Sequence, residues 1–315
     1  MILLPVYTDN LLLEEYGQWA LLEVTSQIFV IIVGFRLSTS LIRFFSSEKE
    51  ESSKRIILFS SFALSLISVL FFNTILHPFS AKLSNLYFDN GNHDTYFHLL
   101  IIWSSLEVMN RLALDFIRVM QKPLLFVLAS IIRFSLVLGL IIYFVAYREM
   151  RIEGILWGQL IGSAFLFLLT TPFLISRMKI GWNFKITKEL INYGIPIIFS
   201  SLAMFMLTLG DRYLIKILLE YERVGIYSLS YKIASVVKLI LIQAFQLGFI
   251  PIVFNMFGKT DFRRFVTKIS TYYIFVLFFA SLVLSVFSKE IIYSFVKDPD
   301  YYEAYLYIPY MLFAF

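Results

Sequence analysis

Eight ionisable side chains fall in stretches of this sequence that are otherwise almost wholly apolar. The cations are Arg36, Arg111, Arg133, Lys232 and Lys238; the acids are Glu107 and Asp115, with Glu23 nearer the edge of its stretch. A charged group at bilayer depth is costly unless paired or hydrated, so each is a candidate for function. The cations outnumber the acids, and the surplus needs water or an anionic ligand. Arg and Lys are natural partners of phosphate, so the chemistry points to a phosphate-bearing substrate. Lys232 and Lys238 stand about 9 Å apart along a helix. Snorkelling to the interface accounts for Lys232 more readily than for Arg133 or Lys238, which lie near mid-span. Glu107, Arg111 and Asp115 are spaced i, i+4, i+8 and share one helix face. That face reads either as a self-neutralising ladder or as an ion-coupling site built on Glu107 and Asp115. An Arg beside a carboxylate makes it a poor proton carrier.

The elements that must hold these groups are membrane spans. Of 315 residues, 59% are hydrophobic, 18% aromatic and only 16% charged. Mean hydropathy is +0.78. A soluble domain has about 25% charged residues, so this chain cannot cover itself in water. A soluble enzyme, a disordered chain and a nucleic-acid-binding domain are excluded. Five uncharged runs are long enough to cross: Ile56–Leu76, Gly154–Ser176, Leu190–Gly210, Leu239–Gly258 and Ile269–Ser288. Trp19–Leu41, Thr95–Arg118 and Pro123–Tyr147 cross if a few internal charges are allowed, which makes eight complete spans, numbered 2 to 9. Ile2–Val6 and Ala304–Phe315 read as parts of spans 1 and 10.

Loop charge gives the orientation. The loops holding Arg43 to Arg55, Arg118 and Lys122, Arg177 to Lys188, and Lys259 to Lys268 are rich in Lys and Arg, and the alternate loops are poor. The positive-inside rule places the first set in the cytoplasm. Every loop is short, so chemistry belongs inside the bundle or at its mouths. Cysteine is absent, which excludes disulfides and thiolate sites. His77, His93 and His98 cluster near one outer loop without further ligands, so no metal site is expected. There is no Walker A sequence, no nucleophile elbow, no cleavable signal peptide and no motif for a cofactor.

Shifting the sequence by 208 residues lays the run Glu14–Leu21 on the run Glu222–Leu229. In both places an acidic outer loop ends in Gly and enters an inward-going span. A repeat of six spans implies twelve or more in all. The expected organisation is an N-terminal lobe at 1–178, a cytoplasmic linker at 179–189 and an incomplete C-terminal lobe at 190–315. Gly154, Gly158 and Gly162 form a small-residue row that suits close helix packing. Pro196 and Pro251 are candidate kinks.

Several motifs are familiar. Asn192-Tyr193-Gly194-Ile195-Pro196 opens span 7, Gly210-Asp211-Arg212-Tyr213 closes it, and Val224-Gly225-Ile226-Tyr227-Ser228-Leu229-Ser230-Tyr231-Lys232-Ile233-Ala234 opens span 8. With Leu4-Pro5-Val6-Tyr7-Thr8, Glu15-Tyr16-Gly17 and Leu41-Ile42-Arg43-Phe44-Phe45, these resemble the Wzx-type polysaccharide (O-antigen) flippases of the superfamily that includes MATE exporters. The resemblance implies an all-α polytopic membrane protein, MATE-like and two-lobed, of which this chain holds about three quarters. It implies the flipping of an undecaprenyl-pyrophosphate-linked oligosaccharide across a bacterial or archaeal inner membrane, without enzymatic chemistry. Membrane lipid, a polysaccharide polymerase and chain-length proteins would be its other partners, and nucleic acid would not. By resemblance Arg36, Lys232 and Lys238 match the family's cavity cations. Tyr193, Gly194, Pro196, Asp211, Arg212, Gly225, Tyr227 and Tyr231 carry its motif. The rival readings are a cation-coupled small-molecule exporter and a membrane-embedded polymerase or glycosyltransferase.

Overall fold

The computed structural model describes residues 3–88, 94–257 and 261–315; the side chains of residues 86 and 255 are also left aside. Among the described residues there are helices and no strands. In chain order they are α1 (Leu4–Asn10), α2 (Leu13–Val33), α3 (Leu37–Ser47), α4 (Glu51–Leu76), α5 (Ser80–Tyr87), α6 (Asp94–Val119), α7 (Pro123–Ile141), α8 (Arg151–Ile175), α9 (Phe184–Leu209), α10 (Asp211–Leu218), α11 (Tyr221–Val237), α12 (Ala244–Met256), α13 (Phe262–Val286), α14 (Ser288–Phe295) and α15 (Ala304–Ala314). π-helical turns at Ile142–Tyr147 and Lys238–Gln243 extend α7 and join α11 to α12.

Seven of these helical stretches are long and apolar enough to cross a membrane. The eighth expected span corresponds to α6, which is 26 residues long but carries Glu107, Arg111 and Asp115. Local chemistry sets the helix starts. Pro123 occupies the first turn of α7, where its missing N–H costs nothing. Asn183 caps α9 by accepting from the backbone N–H of Lys185 (3.0 Å) and Ile186 (3.3 Å).

One expectation needs correcting. The span Trp19–Leu41 is not a continuous helix: α2 stops at Val33 and α3 starts at Leu37. Phe35 and Arg36 between them take positive φ, 44° and 51°. A non-glycine residue pays roughly 1–2 kcal/mol for that left-handed conformation, so surrounding contacts must hold it.

The chain forms two compact units. One comprises Leu21–Leu214 and the other Met1–Ala20 with Ile215–Phe315. In the larger unit, α6 packs against α3, α4, α5 and α8. Leu41, Ile57, Leu58, Leu112, Ala113, Phe116 and Leu174 form one of its apolar clusters. The glycine row of α8 faces α7: a Cβ on Gly158 would come within 2.7 Å of Ile141 Cγ1, and one on Gly162 would strike Val137 Cγ2. These two helices therefore pack closely, as the spacing suggested. α9 packs against α3 and α4. At one end a ring of hydroxyls joins Thr25, Tyr87 and Tyr213 at 2.8, 2.9 and 3.0 Å.

In the second unit α11 packs against α15, as do α13 and α14. Tyr301 is fully buried and donates to the Leu11 carbonyl at 2.9 Å.

The 208-residue offset reappears in the helix boundaries. α2 and α11 begin at Leu13 and Tyr221, and α5 and α14 at Ser80 and Ser288; both pairs are 208 apart. α1 and α10, α3 and α12, α4 and α13, and α6 and α15 begin within about three residues of the same offset. Neighbour relations match too: α4 and α5 both pack on α6, as α13 and α14 pack on α15. Inside the second unit the repeat meets itself. A Cβ on Gly17 would strike the Tyr221 carbonyl and lie 3.0 Å from the Gly225 N, whereas one on Gly225 would lie 2.6 Å from the Leu13 carbonyl and 3.3 Å from the Gly17 N. Gly17 and Gly225 are equivalent under the offset, as are Leu13 and Tyr221. The crossing is therefore reciprocal, the signature of a local two-fold relation.

Candidate functional site: a cationic pocket at a helix break

The break after α2 positions the site. Its backbone is partly satisfied in short turns: the Phe35 N–H reaches the Ile32 carbonyl at 3.2 Å and the Leu37 N–H the Gly34 carbonyl at 2.9 Å. α9 holds the rest in place. Arg36 Nε donates to Ser201 Oγ at 2.8 Å, and Ser40 Oγ donates to the Leu190 carbonyl at 2.9 Å. Gly194 lies against the Phe35 carbonyl so closely that a Cβ there would collide with it. Tyr193 packs edge-on to Phe44 with centroids 5.9 Å apart, and the Arg43 guanidinium sits 4.2 Å over the Tyr193 ring. Tyr193 and Gly194, singled out as motif, thus buttress the broken span. Pro196 lies inside α9 two residues further on.

Arg36 and Arg111 share a small pocket with Val30, Gly34, Ser38, Ser65, Val108 and Leu112. Its free volume is about 20 Å³, space for about one water. Ser65 is 1% exposed, and its Oγ has no hydrogen-bond partner among the described residues. The first turn of α3 begins at the same place and contributes the positive end of its dipole. Arg36 and Arg111 form no ion pair with a carboxylate among the described residues. Two guanidiniums, an unsatisfied hydroxyl and a helix N-terminus are groups whose chemistry suits an oxyanion. Broken membrane helices bind anionic groups by this same device.

The other charged candidates are arranged differently. Arg133 makes a two-pronged ion pair with Glu107 at 3.1 and 2.6 Å and also reaches Ser163 Oγ at 3.2 Å. The pair links α6 to α7, and Ser163 brings in α8. Glu107 is thus answered by Arg133 on a neighbouring helix, where sequence spacing offered Arg111. Asp115 pairs with Arg118 at 3.1 Å. In the second unit, Lys232 Nζ lies 5.6 Å over the Tyr7 ring, and Lys238 Nζ 5.3 Å over the Phe315 ring at the start of a π-helical turn. Such turns recur at functional sites.

Of the remaining motif residues, Asp211 accepts from the Arg212 N–H at 2.9 Å, and Arg212 is buried. Gly225 makes the reciprocal crossing with Gly17. Tyr227 stacks on Tyr231 at 6.5 Å. His77 and His98 are stacked, with their Nδ1 atoms 2.7 Å apart, and Ser80 Oγ lies 3.0 Å from His98 Nε2. His93 lies outside the described residues. No group of three metal-ligating side chains occurs among those described.

Sequence reasoning missed Ser38, Ser65, Ser163 and Ser201. The row Ser61, Ser65, Ser68 on α4, spaced i, i+4, i+7, was a readable signal of a polar stripe.

Fold and site together define an all-α, multi-pass membrane protein whose mostly apolar interior holds some polar and charged groups. The model of the family described as polysaccharide biosynthesis protein matches residues 1–257, and the chain belongs to that family. No curated protein and no solved structure matches it.

Proposed function

We propose that this protein moves a polyprenyl-pyrophosphate-linked oligosaccharide from the inner to the outer leaflet of a cell membrane, supplying surface polysaccharide assembly. The observation that carries the reading is the pairing of Arg36 and Arg111 in a water-sized pocket at a broken span. Like charges set side by side favour a ligand that neutralises both. A diphosphate does so with several acceptor oxygens, and guanidinium forks suit it geometrically. The pocket holds about one water, so in this reading a phosphate group meets the two guanidiniums at its mouth while the saccharide occupies hydrated space beyond it and the polyprenyl chain remains in lipid. Lys232 and Lys238, on the repeat-related α11 and the π-helical turn after it, are proposed to act as further cations during the cycle.

In this reading the lobes at 1–178 and 190–315, joined by 179–189, alternate access to the two faces. The 208-residue offset supports that division. Bacterial or archaeal inner-membrane location, O-antigen or related polysaccharide as product, and a polymerase and chain-length proteins as downstream partners belong to the same proposal. An exporter of cationic compounds fits less well, because its cavity would need net negative charge.

The test is Arg36→Ala and Arg111→Ala in cells that depend on the protein for surface polysaccharide. Each change should abolish surface polysaccharide and leave the lipid-linked precursor accumulated, with the protein at normal level in the membrane. Arg36→Lys should retain partial function, since a point charge replaces a fork. Normal polysaccharide in both alanine variants would sink the assignment.

A further inference from the structure

A second cationic feature lies at the ends of α6, α7 and α8, away from Arg36 and Arg111. Arg177, just beyond α8, places its guanidinium 3.9 Å over the ring of Phe173. Lys122, just before α7, places Nζ 5.4 Å over the same ring. Sharing one ring brings the two cations within about 10 Å of each other, about one Debye length. Among the described residues neither forms an ion pair with a carboxylate. The third cation nearby is compensated: Arg118 is paired with Asp115 and lies 4.8 Å over Phe126.

Three further features surround the pair. Phe173 is braced by Phe116, centroids 6.0 Å apart, so the aromatic platform is fixed. α7 is 19 residues long, starts at Pro123 immediately after Lys122, and has no acid in its first turn. Its N-terminal dipole therefore adds to the positive potential. Directly along α7, Leu124, Leu128 and Ile131 are exposed apolar side chains. An uncompensated cation pair at the head of an exposed apolar helix matches a ligand with a negative head and hydrocarbon chains. Basic pockets between helix ends take lipid headgroups in this way.

We propose that Lys122, Arg177 and the first turn of α7, arranged about Phe173, bind the phosphate headgroup of an anionic membrane phospholipid whose acyl chains lie along α7. The site uses no residue of the pocket described above and stands independently of the transport reading.

The test is native mass spectrometry of the purified full chain titrated with phosphatidylglycerol, phosphatidylcholine or inorganic phosphate. The wild type should take up one phosphatidylglycerol saturably and in preference to phosphatidylcholine. Two interfacial charges at about 1 kcal/mol each correspond to a roughly thirtyfold loss of affinity in Lys122→Gln/Arg177→Gln. Lys185→Gln/Lys188→Gln removes the same net charge from the exposed first turns of α9 and should leave affinity within about twofold of wild type. Phe173→Leu keeps both charges but removes the platform, and should also weaken uptake. Equal losses in the two lysine- and arginine-depleted pairs would mean diffuse surface attraction and overturn the site. Displacement of phosphatidylglycerol by millimolar inorganic phosphate would overturn the lipid assignment.

Discussion

Removing the Arg133 guanidinium should damage stability more than transport. Arg133 and Glu107 are largely buried, at 21% and 17% side-chain exposure, and make two hydrogen bonds of 3.1 and 2.6 Å. At an effective dielectric near 20, unit charges about 4 Å apart attract by about 4 kcal/mol. In the intact pair desolvation offsets most of that gain. A single truncation removes the attraction and leaves one largely buried charge whose remaining side-chain hydrogen-bond partner among the described residues is Ser163, which costs about 3–5 kcal/mol in a protein interior. α7 faces lipid, and helices separated in a membrane find substitute partners, so the cost falls at or below the bottom of that range: about 2–3 kcal/mol for Arg133→Met or Glu107→Leu. The double variant replaces both ions by apolar groups and should fall about 3 kcal/mol short of the sum of the singles. Reversible unfolding in mixed micelles with increasing SDS, followed by far-UV circular dichroism, measures all four proteins. Surface polysaccharide at matched membrane levels should be largely retained in the double variant. Additive single effects would refute the coupling. Full stability with lost transport in Arg133→Met would place this residue on the substrate path instead.

Two glycine predictions follow from close approach. Gly194→Ala pushes a methyl into the Phe35 carbonyl and toward Ser40 Oγ, 3.3 Å away; it should destabilise by about 1–3 kcal/mol in the same unfolding assay. Wild-type stability there would show that the break is not held by α9. Gly17→Ala and Gly225→Ala occupy equivalent places in a reciprocal crossing, so each should destabilise by a similar amount, about 1–3 kcal/mol. Together they should cost less than their sum, since the first opens the contact for the second; a large effect from only one of them would contradict the reciprocity. Ser65→Ala removes the unsatisfied hydroxyl beside Arg36 and Arg111. It should leave unfolding unchanged or slightly improved while lowering polysaccharide export, and unchanged export would remove Ser65 from the pocket's function.

The two kinds of charged site were unequally legible. Position along the chain identified which ionisable residues sit among apolar ones, because hydropathy is a property of sequence neighbours. Which of them are neutralised depends on residues far away in the chain. Glu107 and Arg111 are one turn apart and looked like partners, yet Glu107 turns to Arg133 on α7, 26 residues on. Arg36 and Arg111 are 75 residues apart in sequence, and only packing of α6 beside the broken span brings them to one pocket.

What the amino-acid sequence determined unaided is the solvent and the periodic plan. Apolar runs of bilayer length must be helices in lipid, because no water is there to satisfy their backbone. The loop charges, the 208-residue repeat and the small-residue row on α8 follow from local composition in the same way. Tertiary structure decided the break. Nothing in Gly34-Phe35-Arg36 forces two residues into positive φ; the conformation survives because Arg36 reaches Ser201 and Gly194 admits the Phe35 carbonyl. That strain is local, but the contacts that hold it come from a helix some 160 residues later, and such long-range compensation leaves no periodic trace in a sequence.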